Sequence, residues 1–249
     1  MTKTNYDTYS LHYKRMLNVI PSVQLSDYNY ENYIFARPWI QSIAKDMPIL
    51  DIGCGFGVQL FLFKQLGFTN LHGIEITRES LDVAYEELSS DVSLELIDAF
   101  NYLPQHKNKF AAITCNDVLE HIPREKTIEF LTLVNEALLP GGVVSLRVPN
   151  MSSLLSSYSM CLDFTHLVGF TEFSLMQVLD LAGFENHNIV RQVHSIKWGS
   201  WRPWKPLHGL GLSSIANDIV HRALYKMRGQ TPIPKEFGYN LEMWSYKRC

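Results

Sequence analysis

The residues with the plainest chemical use are Asp51-Ile52-Gly53-Cys54-Gly55-Phe56-Gly57, where glycines alternate with other residues. That spacing lets the backbone turn sharply and approach a ligand with no Cβ in the way. A helix opening directly after such a loop offers free amides and a partial positive charge, which favour a nucleotide or a carboxylate. Two further acids belong with the loop. Glu75, in Gly73-Ile74-Glu75-Ile76, can accept hydrogen bonds from both hydroxyls of a ribose, or can simply cap the helix that follows. Asp98, in Leu96-Ile97-Asp98-Ala99-Phe100, is either a second ligand contact or a solvated loop acid.

These residues must be positioned by something, and the chain around them alternates strand-like and helix-like pieces. Ile49–Ile52, Leu71–Ile76, Ser93–Ile97, Phe110–Cys115 and Val143–Val148 read as five buried strands. Between them, helices are predicted up to Leu66 with Gly67 as the stop, over Arg78–Leu88 behind a Thr77 cap, and from Pro123 to the Leu139-Pro140-Gly141-Gly142 turn. Further on come a helix over Thr171–Ala182, an extended Phe184–His194 and a loop from Ile196 to Gly211 with Trp198, Trp201 and Trp204. A helix over Ile215–Met227 and a last strand over Phe237–Lys247, with Tyr239, Leu241 and Met243 on one side, complete the pattern. Before the first strand, Ile34, Phe35, Trp39, Ile40 and Ile43 predict a helix from Glu31 to Lys45. This rhythm calls for an α/β, Rossmann-like, seven-stranded and mostly parallel sheet with helices on both faces. Residues 1–46 read as an N-terminal helical extension and 47–249 as the main domain, with a helical and loop insertion over about 196–236 before the last strand.

Composition narrows the field. A chain of 249 residues, 46% hydrophobic, can bury one substantial core. A net charge of −3 tells against a nucleic-acid partner, which needs a basic face. Cys54, Cys115, Cys161 and Cys249 are scattered with no CxxC pair, which fits a reducing cytoplasm and suggests neither zinc nor disulfides. The first residues form no signal peptide, and no apolar run is long enough to insert into a membrane. No metal is expected.

Spacing also separates two kinds of nucleotide loop. A dinucleotide fingerprint starting at Gly53 would place its third small residue at Val58, so a nicotinamide-dependent sugar dehydrogenase or epimerase is disfavoured. A Tyr-x-x-x-Lys pair is also missing after the fourth strand. A non-catalytic cofactor-binding scaffold is the other alternative, although none of the motifs is degraded.

The loop, with Glu75, Asp98, the Asn116-Asp117-Val118-Leu119-Glu120-His121 segment and the Leu138-Leu139-Pro140-Gly141-Gly142 turn, resembles class I S-adenosylmethionine-dependent methyltransferases over about Ile49 to Phe184. The resemblance implies S-adenosylmethionine as cofactor and S-adenosylhomocysteine as product. It implies a cofactor site of Asp51, Gly53, Cys54, Gly55, Gly57, Glu75, Ile76, Asp98, Ala99, Phe100, Asn116, Val118 and His121, with Asp98 facing the adenine. Asn116-Asp117-Val118-Leu119 stands where amino-base methyltransferases carry [DN]-P-P-[FYW], so that class is disfavoured. Asp163-Phe164-Thr165-His166, Phe170-Thr171 and Ala182-Gly183-Phe184 are similar to enzymes of bacterial surface-polysaccharide clusters, and the whole chain is similar to capsule methyltransferases that act on an O-methyl phosphoramidate decoration.

The expected acceptor is therefore a small, nucleotide-linked or glycan-type molecule offering an oxygen. His166 is the candidate general base, oriented by Asp163, because histidine titrates near neutrality. Its competing role is structural. If the acceptor is instead anionic, cations such as Arg147, Lys197, Arg202 or Lys205 matter more than a base. The tryptophan loop is open to ligand stacking, lid, packing or homodimer roles.

Overall fold

Neighbouring apolar residues that face opposite ways decide the layering. In β1 (Ile49–Ile52), every residue is buried, and Ile49 and Leu50 belong to two different cores. Side chains alternate across a strand, so a strand apolar on both sides must be covered on both. The computed structural model, which describes residues 30–88, 90–190 and 212–248, shows that cover. On one face lie α2 (Val58–Gln65) and α3 (Arg78–Glu87), packed through Leu60, Phe63, Leu81 and Ala84. Tyr33, from α1 (Tyr30–Ala36), joins the same core with Trp39 and Ile40. The other face is covered by α5 (Arg124–Ala137) and α7 (Glu172–Leu181) through Phe130, Leu131, Leu175 and Leu179. The short α4 (Ala99–Tyr102) and α6 (Ser156–Leu162) sit in connections, and α8 (Leu212–Met227) precedes the last strand.

Six further strands join β1: β2 (Leu71–Glu75), β3 (Ser93–Leu96), β4 (Phe110–Asn116), β5 (Leu138–Pro149), β6 (Phe184–Ile189) and β7 (Asn240–Lys247). They form one sheet in the order β3-β2-β1-β4-β5-β7-β6, with β7 antiparallel to both its neighbours. The seven-stranded, mostly parallel Rossmann-like fold is therefore the one observed. β1 lies between β2 and β4, so chain order reverses there and leaves a crevice at the carboxyl ends of the strands.

Several boundaries differ from expectation, and three of them bear on the site and its surroundings. The helix expected from Glu31 to Lys45 is cut at Pro38, which lacks an amide hydrogen and pushes Arg37 out of helical geometry; a 3-10 helix over Pro38–Ser42 follows. The Leu139-Pro140-Gly141-Gly142 turn is a bulged start to β5: Leu138 already pairs with Phe110, and register shifts before Ala112 meets Val143. The last strand begins at Asn240 rather than Phe237, leaving Tyr239 exposed while Leu241 and Met243 are buried. The tryptophan loop, with Lys197, Arg202 and Lys205, lies outside the described residues, as does most of the N-terminal extension.

Candidate functional site

The glycine loop turns from β1 into α2 by placing Gly53, Gly55 and Gly57 at φ of +67°, +51° and +84°, a region costly for other residues. Gly53 shows the need most clearly. A Cβ there would lie 2.4 Å from Val118 Cγ2, so the loop after β4 can close over β1 only because that atom is missing. At Gly55 a Cβ would meet no protein atom within 4 Å. Beyond the loop opens a cavity of about 550 Å³, within the range that holds a cofactor-sized ligand.

Every residue of the expected cofactor set lines this cavity except Gly57, which stands behind it as the N-cap of α2. Glu75 does more than either expectation held. Its Oε1 accepts from the amides of Ile76 and Thr77 and from the Thr77 hydroxyl, and its Oε2 accepts from the amide of Gly55. The carboxylate thus ties the glycine loop to the end of β2. Thr77 spends its hydroxyl on Glu75 and does not cap α3 with its side chain, contrary to the expected cap. A carboxylate oxygen has about two acceptor sites, so Oε2, with one donor, keeps capacity for a ligand hydroxyl. Asp98 is the N-cap of α4, with Oδ1 accepting from the Phe100 amide.

Beneath the loop Asp51 is buried beside Thr114, its partner in register, whose hydroxyl donates to Oδ1 at 2.6 Å. Burial pushes its carboxyl up to about 7 against the pull of Thr114 and Arg147. Asn116 donates to Gln59, which is bonded to the Tyr33 hydroxyl. Two ion pairs close the far wall: Arg37 with Glu242, and Arg147 with Asp117. Asp117 has φ of +56°, which an aspartate tolerates better than most residues. Burial works against the charge on Arg147, but Asp117 outweighs it and holds the guanidinium pKa above its ordinary value. Tyr33, Arg37 and Gln59 were not anticipated, because nothing in their local sequence links them to a strand end.

At the other end of the cavity the structure rearranges the expected catalytic pair. Asp163 Oδ1 accepts from the amide and hydroxyl of Thr165. Thr165 in turn holds His121, whose Nδ1 lies 3.2 Å from its carbonyl and 2.9 Å from its hydroxyl. Asp163 therefore supports His121 through Thr165, rather than orienting His166 as expected. Burial raises the Asp163 pKa, yet the Thr165 bonds and the nearby histidines leave it below normal. His121 lines the cavity and His166 does not. His166 packs behind it, ring centroids 4.8 Å apart, with Nδ1 on the Ser159 carbonyl and Nε2 3.9 Å from Glu120 Oε1. Burial, then the neighbouring His166, lower the His121 pKa. Glu120, absent from the expected set, is fully buried with no hydrogen bond to either carboxyl oxygen, and burial drives its pKa well up.

Comparison with known proteins fits this geometry. Residues 28–189 match a family model described as a methyltransferase domain. The chain belongs to the methyltransferase-domain family. Among solved structures, the chain is similar in fold to a SAM-dependent methyltransferase of Archaeoglobus fulgidus, with TM-score 0.66, 21% identity, and 97% of this chain and 100% of that one covered. It is also similar to phosphoethanolamine N-methyltransferase 2 of Haemonchus contortus, a complex with S-adenosyl-L-methionine, with TM-score 0.63, 18% identity and coverage of 99% and 59%. Among curated proteins it is 30% identical over 108 residues to a ubiquinone biosynthesis O-methyltransferase of Thiobacillus denitrificans, 42% of this chain and 45% of that one. The chain spans about half the length of the first curated relatives that it matches. The Archaeoglobus protein is described as SAM-dependent, and the Haemonchus structure holds S-adenosyl-L-methionine. No described helix is long and apolar enough to cross a membrane.

Proposed function

We propose that this methyltransferase holds S-adenosylmethionine in the switch-point cavity and transfers its methyl group to an oxygen of a small acceptor. The observation that carries the reading is the Gly53–Gly57 loop riveted to Glu75 across the cavity from His121. The fit is physical. The loop leaves open space above Gly55, Oε2 of Glu75 keeps acceptor capacity for a ribose, and Ile76 and Phe100 offer apolar walls for a base. Asp51, poised near neutrality, suits an ammonium group at the methionine end. The cofactor supplies the activated methyl, so the protein's work is alignment and management of the acceptor's proton.

An oxygen acceptor is supported by the O-methyltransferase names among the curated relatives and by the lack of an amino-base motif after β4. A neutral hydroxyl is favoured over an anionic oxygen because Arg147 and Arg37, the cavity's described cations, are each paired with a carboxylate. A sugar hydroxyl in surface-polysaccharide assembly is the narrower form of this reading; it rests on the resemblance carried by Asp163-to-His166, Phe170-Thr171 and Ala182-Gly183-Phe184. His121, which lines the cavity with His166 packed behind it, supports a role for imidazole at the acceptor.

Calorimetry tests the cofactor half: the protein binds S-adenosylmethionine and S-adenosylhomocysteine but not NAD. Binding of NAD with no response to either sulfur compound would overturn the reading. A panel of sugar hydroxyl and phosphorylated acceptors with labelled cofactor tests the other half. Label in an ether supports the hydroxyl, and label only on a phosphate-type oxygen refutes it.

A further inference from the structure

Glu120 poses a problem that the cofactor site does not solve. Its side chain is fully buried, and neither carboxyl oxygen has a hydrogen-bond partner. A carboxyl group buried without a hydrogen-bond partner is costly whether it keeps its charge or sheds it, and such a group persists where something else compensates it. Two imidazoles supply the clue. One ligand atom from each of Glu120, His121 and His166 lies within 4.8 Å of the other two. We propose that Glu120, His121 and His166 form a binding site for a divalent transition-metal ion at the acceptor end of the cavity.

The surroundings of the two histidines argue for this directly. A carbonyl oxygen can only accept, so the contact from His166 Nδ1 to the Ser159 carbonyl puts the ring proton on Nδ1 and the lone pair on Nε2. That Nε2 faces Glu120 Oε1 at 3.9 Å. The same logic holds at His121, whose Nδ1 donates toward the Thr165 carbonyl and hydroxyl while that hydroxyl donates to Asp163. Both rings are thus fixed in one tautomer by a backbone or carboxylate-linked acceptor. This is the outer arrangement that metal-binding histidines show. Hydrogen bonding alone gives no reason for the His166 lone pair to lie beside an orphaned carboxyl group, with the His121 ring packed against it.

The donor set selects the ion. Two imidazoles and one carboxylate suit manganese, iron, cobalt or zinc better than magnesium or calcium, which prefer all-oxygen shells. Bonds of about 2.0–2.2 Å place ligand atoms roughly 3–3.5 Å apart, so the three side chains need to close in by about 1 Å. Three protein ligands leave coordination positions open, and His121 borders the cavity. An ion here would hold an acceptor by its oxygens and lower the pKa of a bound hydroxyl. The site deepens the proposed oxygen methylation, and rests on that reading for its role but not for its existence. The sequence concealed it because His166 lies far along the chain from Glu120-His121, outside any short ligand motif.

Cobalt(II) is the probe, added to the full chain after chelator treatment and read by its visible d–d absorption and by calorimetry. The wild type should take up one equivalent into this site. Glu120→Gln and His166→Ala should each weaken uptake at that site at least 100-fold, while S-adenosylhomocysteine binding persists and shows that the fold survives. If His166→Ala fails to bind S-adenosylhomocysteine, His166→Gln, closer in volume, replaces it. His187→Ala, a histidine on β6 away from the cavity, should leave uptake unchanged. Equal cobalt binding by wild type and both site variants, or none by the wild type, overturns the proposal. If cobalt binds as described while no form binds S-adenosylhomocysteine, the metal site stands, near-ultraviolet circular dichroism reports the fold, and the cofactor reading falls alone.

Discussion

The two ends of the cavity are built on opposite principles. At the cofactor end, groups come from short stretches at successive strand ends, and the central carboxylate, Glu75, is held by four local donor contacts while its Oε2 keeps capacity for one more. At the acceptor end, the groups come from loops far apart in sequence, and the two carboxyl oxygens of the fully buried Glu120 have no hydrogen-bond partner among the described residues. The first arrangement is self-supporting and gains from folding. The second is held in place by the fold at an energetic cost, as functional sites commonly are. One end of the cavity therefore rests on backbone geometry, whereas the other is assembled by tertiary structure.

Substitutions can break this contrast. The largest effect should come from Glu75→Ala, which removes the rivet between loop and strand together with the ribose acceptor. With each hydrogen bond to a charged group worth about 1.5–3 kcal/mol, affinity for both S-adenosylmethionine and S-adenosylhomocysteine should fall roughly 100-fold or more by calorimetry. If it does not fall, the cofactor end is not built as described. Gly53→Ala comes next. Left-handed strain costs of order 1–3 kcal/mol, and the clash with Val118 adds to it, so the midpoint of thermal unfolding should drop by several degrees and cofactor affinity should fall about tenfold or more.

Thr165→Val probes the other end without touching a proposed ligand. It removes the hydroxyl through which Asp163 reaches His121. Cobalt affinity should fall about 10–100-fold, as losses of outer partners usually do, with cofactor affinity nearly constant. A parallel loss of both would mean that the two ends are one unit.

The smallest expected effect is a pH slope. Burial raises the Asp51 carboxyl to about 7 from its ordinary value of 3.8, so the folded state binds its proton more tightly than the unfolded state does. Its contribution is then fully present below the unfolded pKa and is lost as pH rises toward 7. Urea unfolding of the wild type should show stability declining across that window by an amount that Asp51→Asn removes. An identical slope in both proteins would show that Asp51 ionises as freely as in water.

Legibility in the sequence follows the same division. β1 was readable because four consecutive buried residues precede glycines that only a tight turn explains. The expected cofactor set could be read as one group because its members end β1, β2 and β4 or lie in the segments just after β1 to β4, and all but Gly57 line the cavity. The acceptor end was not, since Asp163 and His166 look like a pair by spacing alone. Only the folded chain shows that Thr165 diverts Asp163 to His121 and that His166 turns toward Glu120. Arg37 and Tyr33 were hidden for a similar reason, because the break at Pro38 turns their short helix onto the cavity wall.

The main-chain carbonyl of Glu120 accepts from the amides of both Leu167 and Val168. One oxygen thereby staples the segment after β5 to the loop after β4, so the two walls of the acceptor end can separate only by giving up both bonds. Those two amides are consequently natural reporters. Their hydrogen-exchange protection measures how often the walls part, and a ligand that bridges the walls must slow both amides together.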